Sequence, residues 1–140
     1  MPGTPSVLFI CVKNAGKSQM AAGLMKDLAG ETVDVRSAGT KPGTALNARS
    51  AESLAELGID ISAETPKAVT DEAMRAADVV VTLGREAAVT VPAGTRYETW
   101  DTDEPSERGI EGMDRMRLVR DDIQRRVREL HRDLTGAEGA

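Results

Sequence analysis

Residues 7–18 read V-L-F-I-C-V-K-N-A-G-K-S, an apolar run that breaks into a short loop ending Gly16-Lys17-Ser18. A run without polar interruption suits a strand buried on both faces of a parallel sheet. Directly after the loop, Met20, Leu24, Met25 and Leu28 recur at helical spacing over 17–29. Strand, loop and helix in that order set the amides of 12–18 at the amino end of a helix. Outward-pointing N–H groups and the helix dipole favour an anion there. Three readings of the turn are open: a turn with no ligand, a nucleotide-phosphate loop, or an oxyanion cradle over a nucleophilic cysteine.

The rest of the chain repeats the alternation. Residues 32–36 (TVDVR) read as a second strand running into the turn S-A-G-T-K-P-G. An amphipathic helix is predicted over 47–57 with Leu54 and Leu57 inward, stopped by Gly58 in the place favoured for a C-cap. A short helix over 71–76 and a buried strand over 77–83 (ADVVVTL) follow, then a fourth strand over 97–100. The polar loop 101–112 contains Asp103, Glu104 and Pro105. In the long helix predicted over 113–134, Met116, Val119, Ile123, Val127, Leu130 and Leu134 form one apolar stripe. Its opposite face is dense in Arg and Asp and reads as solvated surface with i,i+4 pairs. The tail from about 135 is expected to fray. This order indicates one small α/β domain over 1–140 with a mostly parallel sheet.

Composition narrows the partners. A net charge of −5 argues against nonspecific nucleic-acid binding. No apolar stretch approaches the roughly 20 residues that cross a bilayer, so no membrane span is expected. The opening MPGTPS has neither a basic segment nor an apolar leader core, and reads as unprocessed and cytoplasmic. Cys11 is the one cysteine, which excludes an internal disulfide and means that thiol chemistry needs a thiol from outside the chain. Phe9, Tyr97 and Trp100 are the aromatic residues, too few for a stacking platform. One histidine and one cysteine make a metal site improbable, and His131 reads as a surface residue.

A nucleotide loop needs a glycine where Cys11 stands, so that the backbone wraps closely around a phosphate. It also needs an acidic residue at the end of an apolar strand to help hold magnesium, whereas the strand ending Leu83-Gly84 offers none. The cysteine reading uses more of the residues. A cysteine at a strand's carboxyl end, facing a helix amino terminus with Lys17 nearby, is set up to react as a thiolate beneath a bound oxyanion. Ser18 could donate to the sulfur, and Asn14 tolerates a left-handed backbone or ties the loop through its amide.

The set C-V-K-N-A-G-K-S, then Q-M-A, S-A-G-T at 37–40, the acidic residue before Pro105 and R-x-x-R-D-D-I at 117–123 resembles the low-molecular-weight tyrosine phosphatase fold and its arsenate reductase branch. The resemblance covers nearly the whole chain. It implies a single-domain three-layer sandwich, a four-stranded mostly parallel sheet with helices on both faces. The family pattern is C-x5-R-S, with the loop as oxyanion cradle and the cysteine as nucleophile. Lys17 replaces that arginine, and lysine offers one compact charge where arginine grips bidentately. A G-K-S ending is similar to single-cysteine arsenate reductases that use mycothiol. Thioredoxin-coupled relatives carry two further cysteines, and here Gly84 and Val91 fall at those places.

The resemblance therefore implies an arsenate–mycothiol transferase. Cys11 would attack arsenate held by Val12, Lys13, Asn14, Ala15 and Gly16, with Lys17 and Ser18 assisting. A carboxylic acid before Pro105 would protonate the departing oxygen, with Glu104 favoured over Asp103. The arseno group would pass to mycothiol as thiol co-substrate, and a separate redoxin would complete the reduction. No tightly bound cofactor and no metal is expected. A tyrosine phosphatase using the same cysteine is the alternative, although the chain lacks aromatic residues to flank a substrate ring. The segments 37–45 and 101–112 are expected to line the thiol pocket.

Overall fold

The N-terminal apolar run forms β1 (Ser6–Cys11), a strand with a neighbour on each side. The computed structural model describes residues 4–136. The tail predicted to fray from about 135 lies mostly outside them. Within them, Thr135 ends the last helix and Gly136 caps it with φ +68°. The other strands are β2 (Asp34–Gly39), β3 (Val79–Leu83) and β4 (Arg96–Trp100), in the order β2-β1-β3-β4. Every pairing is parallel. The helices are α1 (Lys17–Ala29), α2 (Ala48–Ala55), α3 (Asp71–Ala76) and α4 (Gly112–Thr135), with 3-10 turns at Gly30–Thr32 and Pro105–Arg108.

Alternation along β1 splits the interior in two. Val7, Phe9 and Cys11 face one core with Met20, Met25, Leu54, Val119 and Ile123, contributed by α1, α2 and α4. Leu8 and Ile10 face the other with Val80, Met74 of α3 and Ala87. Burying a side chain the size of Phe9 or Leu8 contributes about 1.5–3 kcal/mol each, so β1 anchors both layers. The result is a three-layer α/β sandwich, with a single short helix on the second face. Phe9 and Trp100 meet with ring centroids 5.6 Å apart at a tilt of 54°.

Four details depart from the sequence reading. The second strand runs Asp34–Gly39 rather than 32–36, so Ser37, Ala38 and Gly39 belong to the ladder and pair with Phe9, Ile10 and Cys11. Thr32 instead closes a turn by donating its hydroxyl to the Ala29 carbonyl at 2.7 Å. Leu57 is exposed, because α2 ends at Ala55. The reversal there is a Schellman motif, with Ile59 N–H on the Leu54 carbonyl, Gly58 N–H on the Ala55 carbonyl and Gly58 at φ +79°. Leu28 also faces outward, at the last turn of α1. On α4, Arg120 is buried although its face reads as solvated; its guanidinium reaches the Ser53 carbonyl at 2.9 Å and Glu56 at 2.8 Å.

Candidate active site

Cys11 ends β1 between β2 and β3, at the carboxyl edge of the sheet. The crossover to β2 leaves on one side of β1 and β3 lies on the other, which makes this the topological switch point where open α/β sheets bind ligands. Residues 12–16 turn outward from there, and α1 begins at Lys17.

The loop is held by its carbonyls. Thr40 N–H donates to the Cys11 carbonyl at 3.1 Å, Lys41 to Val12 at 2.8 Å, Gly43 to Lys13 at 2.9 Å and Asn47 to Ala15 at 2.7 Å. With these carbonyls tied to the segment after β2, the amides are free to turn the other way. Among the described residues, no protein acceptor meets the N–H groups of Lys13, Ala15, Gly16 and Lys17. Unpaired N–H groups at a helix amino end favour an anion. Gly39 makes the approach of β2 possible, since a Cβ there would lie 2.7 Å from the Val12 carbonyl and 3.0 Å from the Asn14 nitrogen.

Asn14 is the centre of the loop. It is fully buried with φ +53°, the one positive value among the described non-glycine residues. Its Nδ2 donates to Ser18 Oγ at 2.7 Å, and its Oδ1 accepts from Lys67 N–H at 3.0 Å and Gln19 Nε2 at 3.2 Å. Its own N–H points at Cys11 Sγ at 3.2 Å. Ser18 Oγ lies 2.9 Å from the same sulfur. Since Ser18 accepts from Asn14, its proton is left for the sulfur, so Sγ receives two donors. Gln19 and Lys67 add what the sequence did not reveal. Gln19 Nε2 also reaches the Thr65 carbonyl at 3.3 Å, stitching the loop to the segment before α3.

The polar loop 101–112 carries the two candidate acids, which have different partners. Both oxygens of Asp103 are taken by Arg108, at 2.9 and 3.0 Å, and that guanidinium holds its carboxyl below the usual range. The Asp103 N–H donates to Asp122 Oδ2 at 2.8 Å, which anchors the loop to α4. Glu104 is gripped by Arg115 through Nε at 2.8 Å and Nη2 at 3.0 Å, and accepts from Ser106 Oγ at 2.7 Å. Arg115, with Ser106 and the positive charge of Lys17, draws the Glu104 pKa down to about 2. Of the two acids, Glu104 is therefore the one coupled to the loop's lysine. The 117–123 motif proves to be scaffold: Arg117 and Arg120 both hold Glu56 at the end of α2, while Asp122 holds the acid loop. Arg115 was not singled out in the sequence, because on a charged helix face nothing marks which charges turn inward; Asp122 entered only as part of the 117–123 motif, and Ser106 only within the polar loop.

Residues 6–138 match the low molecular weight phosphotyrosine protein phosphatase family. An arsenate reductase of Halalkalibacterium halodurans is 35% identical, over 87% of this chain and 91% of its own length. A thioredoxin-dependent arsenate reductase of Corynebacterium glutamicum superimposes with a TM-score of 0.81 at 37% identity; the match covers 96% of this chain and 63% of that one. An arsenate reductase solved in its phosphate-binding state gives a TM-score of 0.78 at 28% identity, with 93% and 98% covered. No helix among the described residues is long and apolar enough to cross a membrane. The chain belongs to the low molecular weight phosphotyrosine protein phosphatase family, alongside its arsenate reductases.

Proposed function

We propose that the protein reduces arsenate by way of Cys11, handing the arseno group to a small external thiol. The observation that carries this is Cys11 Sγ at the floor of the loop, under two hydrogen-bond donors and beside free amides at the start of α1. The arsenate reductase relatives supply the substrate. Arsenate resembles phosphate in shape and charge, so an anion cradle accepts it.

The thiolate of Cys11 attacks arsenic, and one oxygen departs as water once a proton reaches it: Cys–S⁻ + H₂AsO₄⁻ + H⁺ gives Cys–S–AsO₃H⁻ + H₂O. Lys17 and the loop amides neutralise charge as it builds on the oxygens. Glu104 is the proton carrier beside Lys17, with Asp103 held away on Arg108. A thiolate RS⁻ then displaces Cys11, giving RS–AsO₃H⁻ and regenerating the cysteine thiolate. A second thiol attacks that sulfur, forming a disulfide while As(V) becomes As(III), two electrons in all. The chain has one cysteine, so both thiols come from outside. Mycothiol is the proposed acceptor, with a redoxin acting downstream in the cytoplasm. The C. glutamicum relative is named as thioredoxin-dependent, which makes the reductant the sharpest point to test.

Mixing the protein with arsenate and mycothiol and reading the products by mass spectrometry tests the transfer. The reading predicts a mycothiol–arsenic adduct with the wild type and none with Cys11→Ser. Equal adduct from both proteins would refute it. Faster turnover of a small aryl phosphate than of arsenate with thiol would favour the phosphatase reading instead.

A further inference from the structure

Lys17 gives the loop a point charge where the family pattern has a forked arginine, and a guanidinium, that of Arg115, is paired with the candidate acid Glu104. Arg115 lies in the first turn of α4 and grips both Glu104 oxygens through Nε and Nη2, at 2.8 and 3.0 Å. Glu104 in turn feels the charge of Lys17. The next residue, Met116, has its sulfur 3.7 Å from Ser50 Oγ, and that hydroxyl lies 3.4 Å from where a Cβ on Gly16 would stand. The first turn of α4, which carries Arg115, is thus tied through Ser50 of α2 to Gly16 of the loop.

We infer that Arg115 is a second oxyanion-binding cation: when a tetrahedral oxyanion fills the loop, its guanidinium exchanges the Glu104 carboxylate for two oxygens of the ligand.

Three features support the exchange. The planar fork that now holds a carboxylate bidentately fits two oxygens of a tetrahedral oxyanion equally well, a grip that a lysine lacks. Both partners are 30% exposed, and an ion pair so open to water adds little and is easily exchanged. The charges facing Arg115 are the carboxylates of Glu104 and Glu111, so an incoming dianion is drawn by Lys17 and Arg115 and must displace Glu104 to be held. The exchange also answers a difficulty in the resting state, where Glu104 is ionised and has no proton to give. Once parted from Arg115 and set beside an anion, the carboxylate gains affinity for a proton and can serve as donor.

This inference rests on the loop being an oxyanion site, and the test separates the two. Cys11 is alkylated with iodoacetamide under increasing inorganic phosphate, and the phosphate concentration giving half-protection is read for wild type, Glu104→Gln, the double variant Glu104→Gln/Arg115→Gln, and Glu104→Gln/Arg128→Gln. Arg128 is an exposed arginine elsewhere on α4, so the last variant controls for simple loss of charge. The account predicts at least a tenfold higher midpoint for the Arg115 double variant than for Glu104→Gln, with the Arg128 double variant within twofold of it. Equal midpoints for Glu104→Gln and Glu104→Gln/Arg115→Gln would mean that Arg115 only neutralises Glu104, and would overturn the inference alone. Absence of phosphate protection in all four proteins would overturn the oxyanion-site reading and this inference with it. Far-UV circular dichroism and thermal melts show that each variant is folded.

Discussion

Asn14 sits fully buried with a left-handed backbone, and its side chain bridges Ser18, Gln19 and the Lys67 amide. Replacing it by Ala strands those groups without partners, which costs about 1–3 kcal/mol for each buried group left unpaired. Asn14→Ala is therefore expected to lower stability by at least that much in urea unfolding, and to slow Cys11 alkylation as Ser18 loses its orientation. Gly39→Ala is expected to be as damaging. Its new Cβ would press on the Val12 carbonyl, which is backbone and cannot swing aside. A melting temperature within 1–2 °C of wild type for Gly39→Ala, roughly the effect of a few tenths of a kcal/mol, would contradict the close approach. The backbone role of Asn14 was legible in the sequence, because asparagine is a residue that accepts positive φ. Gln19 was not, because its partner Thr65 lies 46 residues away and only the fold brings them together.

At the scale of elements, the acid loop and the α2–α4 seam depend on carboxylates held below their ordinary range. Glu56 is drawn to about 2 by Arg117 and then Arg120, and Glu104 to about 2 by Arg115. The sign follows from the direction. Each carboxylate is more acidic folded than unfolded, so its contribution is complete above the ordinary glutamate value of about 4.3 and fades as pH falls toward about 2. Melting temperature is expected to be level above about pH 5 and to drop below it. Glu56→Gln should flatten that drop, and added salt should shrink the effect, since both pairs are partly open to water. An acid limb unchanged by Glu56→Gln would show that the seam does not rest on this charge. Asp122→Ala is expected to release the loop through loss of the Asp103 N–H contact, lowering kcat for arsenate while KM changes little. The long helix was easy to read from its apolar stripe. Its inward charges were not, since Arg120 becomes buried only because Ser53 and Glu56 stand opposite.

For the whole molecule, the alternation of strands and helices carried most of the fold. Parallel pairing of β2, β1 and β3 follows from it, because helices cross over between them, whereas β3 and β4 pair in parallel through the helix-free segment 84–95. The far end of β2 was missed because S-A-G-T reads locally as a turn; pairing with β1 as far as Cys11 makes Ser37-Ala38-Gly39 strand. The same pairing brings 40–47 against the Cys11 loop, so the sheet edge and the candidate site are one construction. On this platform, one cysteine is proposed to pass arsenic to a small external thiol rather than to a protein dithiol. That transfer is tested most directly by following arsenite formation from arsenate with two reductants in parallel, mycothiol plus a glutaredoxin-like redoxin, and thioredoxin with its reductase alone. The account predicts arsenite only where mycothiol is present, and none with Cys11→Ser. Sustained arsenite formation with thioredoxin alone would contradict it.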